Sequence, residues 1–559
     1  MSIKNLYAIG LDYGTQSCRA VLVELGTARE LASSVWEYTH GVMDRTLPDG
    51  QRLGHDWALQ HPQDYLTGLE RIVPDVIERG GVSPAQVIGI GVDFTSCTVL
   101  PAKADGRPLC LMEEFAHHPH AWAKLWKHHA GQPQANRIGA LAEERKEPFL
   151  KLYGGKVSSE WMLPKILQML EEDPELYEET DLFVEAGDWL VWQLTGNLTR
   201  NATMSGYKAM WNKRVGYPSC EFMKAVHPRL EHFFEEKLYG DVLPQGARAG
   251  GLCDGMAQRL GLMPGTAVSV ANIDAHVTVP GVGITGPGDL LMIMGTSTCH
   301  IICGEEEIAI PGICGVVEDA VLPGLMGYEA GQSCVGDHFE WFVKNCVPES
   351  YEERARHEGI NIHTLLEREA SRLDVGESGL IALDWWNGNR AVLVDVDLMG
   401  MMLGMTLQTR PEEMYRALIE ATAYGTRMII ENFVQGGLPV ERIFAAGGIA
   451  QKNAMLMQIY ADVTGREIRI GQSTQAPAVG SAMFGAVAAG AEAGGYGTIE
   501  EAAREMGKVQ EKVYRPIPEN AAVYDRLYAE YKQLHDYFGR GANDAMKRLK
   551  HIREAAISK

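Results

Sequence analysis

The chain has 559 residues, 46% of them hydrophobic and 22% charged, with a formal net charge of −22. At that length one core is outgrown and two or more domains are expected, while the acidity argues against a nucleic-acid or anionic-membrane partner. No apolar run approaches the ~20 residues that span a bilayer. The opening MSIKNLYAIGLDYG lacks the apolar stretch and cleavage site of a secretory signal. Ten scattered cysteines without a CxxC pair read as reduced thiols, so a cytoplasmic protein is expected.

In chain order, residues 6–11 and 19–25 read as buried strands joined by a hairpin containing Asp12, Gly14, Thr15, Gln16 and Ser17. A bland reading has Asp12 and Thr15 bonding the turn backbone; a sharper one is a phosphate loop with an acid nearby for a metal. VIGIGVDFTSCTVLP adds further strand signal. Five histidines crowd residues 117–129, interrupted by Pro119 and without HExxH spacing, which favours a solvated or cleft-lining segment over a metal site. SSEWMLPKILQMLEED reads as a helix capped at Ser158–Glu160, and DLFVEAGDWLVWQLTG as another. Near residue 260 a turn and buried strand (GLMPGTAVSVANID) lead to AHVTVPG, a helix, with Asp274 at the junction, where an N-cap is the ordinary role.

DLLMIMGTSTCHIIC then repeats the opening device: strand, polar turn, strand. Self-similarity at a separation of nearly 300 residues points to duplicated domains, and facing polar turns between such domains would form a cleft. The expected division is 1–267 and 268–559. Thr15, Gln16 and Ser17 in one turn, and Gly295, Thr296 and Ser297 in the other, offer main-chain donors and short hydroxyls for a triphosphate. PEEMYRALIEATAYGTRMIIENFVQGG is helical, VERIFAAGGIAQKNAMLMQIYADVTGREIRI reads strand, glycine turn, helix, strand, and APAVGSAMFGAVAAGAEAGG is a small-residue helix able to approach its neighbours closely. The tail, roughly 519–556, is helical, with Tyr524, Leu527, Tyr531 and Leu534 on one face, suited to its own domain or to a subunit contact in a homodimer. GVGITG at 281–286 matches GxGxxG, but a helix precedes it and a strand follows, the reverse of a dinucleotide site. There is no GxxxxGK[ST], HRD or DFG.

The segments LDYGTQSCRA, GVDFTSCT, GGKVSSEW, NIDAH, MGTSTCH and AAGGIAQKNAMLMQIYADV, collinear over roughly residues 5–510, resemble the FGGY family of carbohydrate kinases. The resemblance implies an α/β fold of two duplicated actin-like, ribonuclease-H-like domains closing on sugar and ATP. It places Asp12 at Mg²⁺, Thr15–Ser17 and Gly295–Ser297 at the phosphates, and Gly447, Gly448 and Asn453 on the adenosine side. Asp274 matches the catalytic aspartate, and Ser96, Lys208 and Glu329 fall in segments expected to line the sugar pocket with it. An acid in some relatives corresponds to His128 here. The implied reaction is transfer of the ATP γ-phosphoryl group to the 5-hydroxyl of L-ribulose. Kinases for xylulose, ribitol or glycerol, an actin- or chaperone-like ATPase switch, and a regulator that has lost catalysis are the alternatives.

Overall fold

A computed structural model describes residues 5–557; residues 1–4 and 558–559, the outer ends of the expected domains and the first residues of the opening segment, lie outside the described residues. Two seven-stranded sheets organise the chain. The first contains β1 (Tyr7–Tyr13), β2 (Ser17–Glu24), β3 (Arg29–Glu37), β4 (Val87–Phe94), β5 (Arg248–Gly251), β6 (Ala267–Ser269) and β7 (Asn272–Ile273), in the order β5-β6-β4-β1-β2-β3, with β7 also on β4. The second contains β8 (Asp289–Met294), β9 (Thr298–Gly304), β10 (Gly315–Glu318), β11 (Met326–Gln332), β12 (Arg442–Ala446), β13 (Ile468–Gly471) and β14 (Val509–Tyr514), in the order β10-β11-β9-β8-β12-β13-β14.

The duplication is visible in the ladders. β1, β2 and β3 are antiparallel neighbours and β4 and then β6 follow in parallel. β8, β9 and β11 repeat the antiparallel trio, and β12 and β13 repeat the parallel pair. The fold is therefore the duplicated α/β arrangement expected. The expected seam after residue 267 falls inside β6, however, and β7 still pairs with β4. The first sheet runs on to Ile273 because that strand carries the chain to the start of a helix at Asp274.

The main helices are α1 (Pro62–Gly80), α2 (Met162–Glu172), α3 (Ala186–Thr195), α4 (Ala202–Ala209), α5 (Asp274–Gly281), α6 (Gly336–Cys346), α7 (Pro411–Gln435), α8 (Ala454–Thr464), α9 (Ala476–Ala489), α10 (Pro518–Gly539) and α11 (Ala545–Ile557). Three local expectations need correction. Asp12 belongs to β1, not to the loop. α2 starts at Met162, four residues past Ser158, because Ser158 and Ser159 bond the preceding turn and His129 instead of capping. Residues 181–196 split into a strand, Leu182–Glu185, and then α3, since the run of Leu182, Phe183 and Val184 is buried between two cores before the helix begins. The tail is likewise two helices. Tyr524, Tyr528, Tyr531 and His535 of α10 are buried against their own half of the molecule, with Leu527 and Leu534 packed at the margin.

Side-chain alternation explains how the sheets come together. In β1, Tyr7, Ile9, Leu11 and Tyr13 face the core under α1 and α3, as do Ile90, Val92 and Phe94 of β4. The opposite face presents Ala8, Gly10 and Asp12 beside Gly89, Gly91 and Asp93. Helix α9 lies on that face, and its apolar side also joins a core with α5, β8, β9 and β12 of the second half. Glycine is required at the crossing: a Cβ at Gly10 would sit 1.7 Å from the Ala478 carbonyl oxygen, and one at Gly91 1.7 Å from that of Ser481. Gly91→Ala is thus expected to destabilise the protein by roughly 3 kcal/mol, the upper end of ordinary overpacking, read as a lower denaturant midpoint. An unchanged midpoint would contradict this backbone-to-backbone seat.

Candidate active site

The first sheet ends in a row of acids at the carboxyl ends of parallel strands, the edge where α/β sheets bind ligands. Asp12 pairs in register with Asp93, and Asp93 with Asn272 of β7, two residues before Asp274. Asp93 is fully buried; its Oδ2 accepts from Ser481 Oγ of α9 at 2.5 Å, and its Oδ1 has no protein partner. Burial, and then the Asp12 charge, push Asp93 well above the carboxylate range. Asp12 is also raised by burial, against the pull of Arg19, whose Nε lies 3.2 Å away. Sequence reading missed Asp93, although IGVD repeats the IGLD that carries Asp12.

Asp274 is half-buried at the first turn of α5, where its Oδ1 accepts from the Ala275 N–H at 2.7 Å. It is the first residue of the helix, not its cap, since Ile273 holds that place. Burial raises its pKa to about 7, with Asp12 the next contributor and Glu329 a further one. Asp274 therefore feels an acid from each sheet: Asp12 of β1 and Glu329 of β11.

Glu329 and Lys208 turn out to be buried partners. Lys208, on α4, is 4% exposed and its Nζ lies 3.9 Å from Glu329 Oε2, which excludes a solvated surface lysine. Glu329 sits in the middle of β11, not at a strand end. Its Oε2 also meets His276 Nε2 at 3.3 Å, and its Oε1 accepts from Arg390 Nη2 at 2.9 Å. Burial alone would raise Glu329, but Lys208, His276 and Arg390 hold it well below the usual range. Burial is the largest influence on Lys208 and would lower it, yet Glu329, with smaller contributions that include Glu160, keeps the ammonium above its ordinary value. Arg390 has no sequence motif to announce it, and sequence reading passed over His276, the last residue of NIDAH. Ser96 lies half-buried beside Cys97, a non-glycine residue at φ +61°, in the turn leaving β4.

The two polar turns share one closing hydrogen bond: Gly14 N–H to Ser17 O at 2.9 Å, and Gly295 N–H to Ser297 O at 2.9 Å. In the first turn Gln16 is exposed, and Ser17 opens β2. Thr15 is held twice, its carbonyl by Gln60 Nε2 at 2.8 Å and its Oγ1 by Trp126 Nε1 at 3.1 Å. An indole N–H only donates, so the Thr15 hydroxyl proton is left free to point elsewhere. In the second turn Gly295 and Thr296 are exposed and Ser297 half-buried. Gly447, at φ +97°, comes against the end of β8, where a Cβ would stand 2.4 Å from the Met294 carbonyl oxygen. The glycine turn after β12 thus adjoins turn 295–297. Gly448 opens a short helix, Gly448–Lys452, that sequence reading did not separate, and Asn453 caps α8, its Oδ1 accepting from the Leu456 N–H at 2.8 Å.

The histidine-rich stretch is structural. His120 and His128 are buried, and His118, His120, His128 and His129 bond Asp173, Glu172, Gln168 and Ser159 respectively. These bonds fasten the stretch to α2 and its flanks, which replaces the expectation of a solvated segment. Among the described residues, ligand atoms lie within 4.8 Å of one another in His40/His61/Asp64 and in Cys220/His232/Glu235, the first group bordering the turn of Thr15 and Gln16, whose carbonyls accept from Gln60 Nε2 and the Tyr38 N–H. The His40 and His61 rings stack at 4.1 Å and 19°, and His40 Nδ1 meets Asp64 Oδ1 at 2.9 Å. Among the described residues no helix is long and apolar enough to cross a membrane.

Comparison with known proteins agrees with this layout. The N-terminal domain model of the FGGY family of carbohydrate kinases matches residues 7–281, and the C-terminal domain model matches 290–489. Ribulokinase from Anoxybacillus flavithermus is 58% identical over 551 residues, covering 98% of each chain, and ribulokinase from Geobacillus thermodenitrificans is equally similar, 58% over 551 residues and 98% of each. Ligand-bound xylulose kinase from Lactobacillus acidophilus shares the fold, with a TM-score of 0.78 at 16% identity over 96% of this chain and 99% of its own. With both halves matched and the sheets duplicated in the same order, the chain belongs to the FGGY family of carbohydrate kinases.

Proposed function

We propose that this protein is an ATP-dependent ribulokinase, transferring the γ-phosphoryl group to the 5-hydroxyl of L-ribulose. The observation that carries the chemistry is Asp274, a carboxylate poised near neutrality and electrostatically coupled to Asp12 of the first sheet and Glu329 of the second. Full-length similarity to ribulokinases supports the choice of sugar over xylulose, ribitol or glycerol.

In this reading Lys208 and Glu329, with Ser96 and Asp274, bind the sugar hydroxyls, and Arg390 and His276 keep Glu329 ionised and oriented. Asp274 accepts the proton of the attacking primary hydroxyl as its oxygen bonds phosphorus. The turns 15–17 and 295–297 hold the phosphates from opposite sides, while Gly447, Gly448 and Asn453 form the adenosine side. The first half, whose sheet runs on to Ile273, then carries the first phosphate turn and much of the sugar pocket, and the second half carries the second turn and the nucleoside side. The orphaned Asp93 Oδ1 and the two acids, both raised by burial, fit a divalent cation. Mg²⁺ there, held by Asp12 directly or through water, would neutralise phosphate charge. Cytoplasmic location fits a soluble metabolite and ATP, and the exposed parts of α10 and α11 leave room for a homodimer contact.

The test is a coupled ADP assay across L-ribulose, other ketopentoses, pentitols and glycerol, with the product phosphate located by NMR. ADP formation should depend on L-ribulose and yield the 5-phosphate. ADP released without any sugar would favour the ATPase switch, and preference for another acceptor would reassign the substrate.

A further inference from the structure

Helix α10 does more than pack on α7, α8 and the strand Ile381–Leu383. Its Tyr531 is fully buried, and the Tyr531 hydroxyl donates to Asp384 Oδ1 at 2.9 Å. Asp384 Oδ2 accepts from Gln332 Nε2 at 2.8 Å, and that nitrogen also donates to the Thr422 carbonyl at 2.8 Å. Gln332 Oε1 in turn accepts from Thr426 Oγ1 at 2.8 Å, and Thr426 meets His300 Nε2 at 3.1 Å. Both amide protons and the amide oxygen of Gln332 are thus engaged, so it has one orientation. Helix α7 leaves room for this chain only because residue 425 is glycine: a Cβ there would lie 2.5 Å from Gln332 Nε2 and 2.8 Å from Asp384 Oδ2.

Gln332 stands beside one end of the turn 295–297, and the residues shortly after it bond the turn itself. It closes β11 directly opposite Thr298, the residue that follows Ser297. Just beyond it, the Val335 and Asp337 N–H groups donate to the Thr296 carbonyl at 2.9 and 3.3 Å, and the Gly336 N–H to that of Gly295 at 3.0 Å. The segment bonded to the turn therefore follows closely on Gln332, the residue that Asp384 and Tyr531 hold in place, and buried hydrogen-bonded networks of this kind favour one backbone position.

We propose that Tyr531 is a positioning residue for the turn 295–297, so that α10 sets nucleotide affinity from outside the cleft. The inference rests on reading that turn as a phosphate site. Tyr531→Phe removes one hydroxyl and keeps the ring among Tyr424, Tyr528 and His535. The KM for ATP, and the Kd of a non-hydrolysable ATP analogue, should rise roughly three- to tenfold, the weight of one hydrogen bond. The KM for the sugar should stay within about twofold, well under the roughly fivefold or larger shift that losing one hydrogen bond to the sugar would give. Asp384→Ala should reproduce the split. Asp384→Asn, whose amide can accept from Gln332 and donate to Tyr531, should restore near-normal nucleotide affinity, which a stability defect alone would not do. Nucleotide and sugar constants moving together, or neither moving, would overturn the proposal. The Thr296→Ala, Ser297→Ala double variant separates the two failures: if it binds nucleotide normally and sugar poorly, the phosphate reading of the turn is what fails.

Discussion

Asp274→Asn lowers kcat about 10²- to 10⁴-fold, the usual contribution of a positioned base, and leaves sugar binding nearly intact. Asparagine preserves the shape and the acceptor for the Ala275 N–H at 2.7 Å, so α5 starts as before. What it loses is a site for the hydroxyl proton. The pH dependence makes the assignment specific. Burial and the neighbouring Asp12 raise Asp274 to about 7, so it is protonated below and ionised above that pH. Wild-type kcat/KM for the sugar should climb with an acid limb centred near 7 and lose that limb in the variant. The stability effect has the opposite sign. The folded protein binds this proton more tightly than the unfolded chain, whose aspartate titrates near ~3.9. The resulting penalty is absent at low pH and grows as pH rises towards 7. Asp274→Asn should therefore match the wild type in urea near pH 3.5 and exceed its stability at pH 7.5. Turnover close to normal in the variant would remove Asp274 as the base.

Strand periodicity was the most legible part of the fold. IGLD and IGVD announce strands whose alternate residues are large and small, and the small ones are where α9 crosses. What could not be read was that crossing itself, because the partners of Gly10 and Gly91 are Ala478 and Ser481, far along the chain. The same limit governs the site. Asp12, the two turns and Asp274 sit at local junctions with a pattern of their own. Arg390 follows a tryptophan-rich loop with no periodicity, and its meaning comes only from the Glu329 carboxylate it meets at 2.9 Å. His128 shows the converse error. A polar residue in a histidine run looks like surface or ligand, yet here its ring bonds Gln168 at 2.9 Å inside the core. Burial, not residue type, decides that case.

Lys208→Met should reduce kcat/KM for the sugar about 10- to 100-fold, the range for losing a charge-assisted hydrogen bond, with the KM for ATP little changed. The protein should still fold, because Glu329 keeps Arg390 at 2.9 Å and His276 at 3.3 Å. Removing the other partner has a different outcome. Glu329→Gln strips the carboxylate that Lys208 and Arg390 share, and an uncompensated buried charge costs about 3–5 kcal/mol. The two variants therefore separate binding from stability: the lysine change acts on the sugar, and the glutamate change acts on the fold as well. The signs in pH follow from the shifts. Glu329 is depressed, so its stabilisation is present above the unfolded value of ~4.3 and drains away as pH falls below it, whereas that of Lys208, which is raised, persists until pH passes ~10.4. Urea midpoints measured from pH 7 down to pH 3 should drop more steeply for the wild type than for Glu329→Gln. Sugar affinity at wild-type level in Lys208→Met would detach this buried pair from the substrate and leave it a structural clasp between α4 and β11.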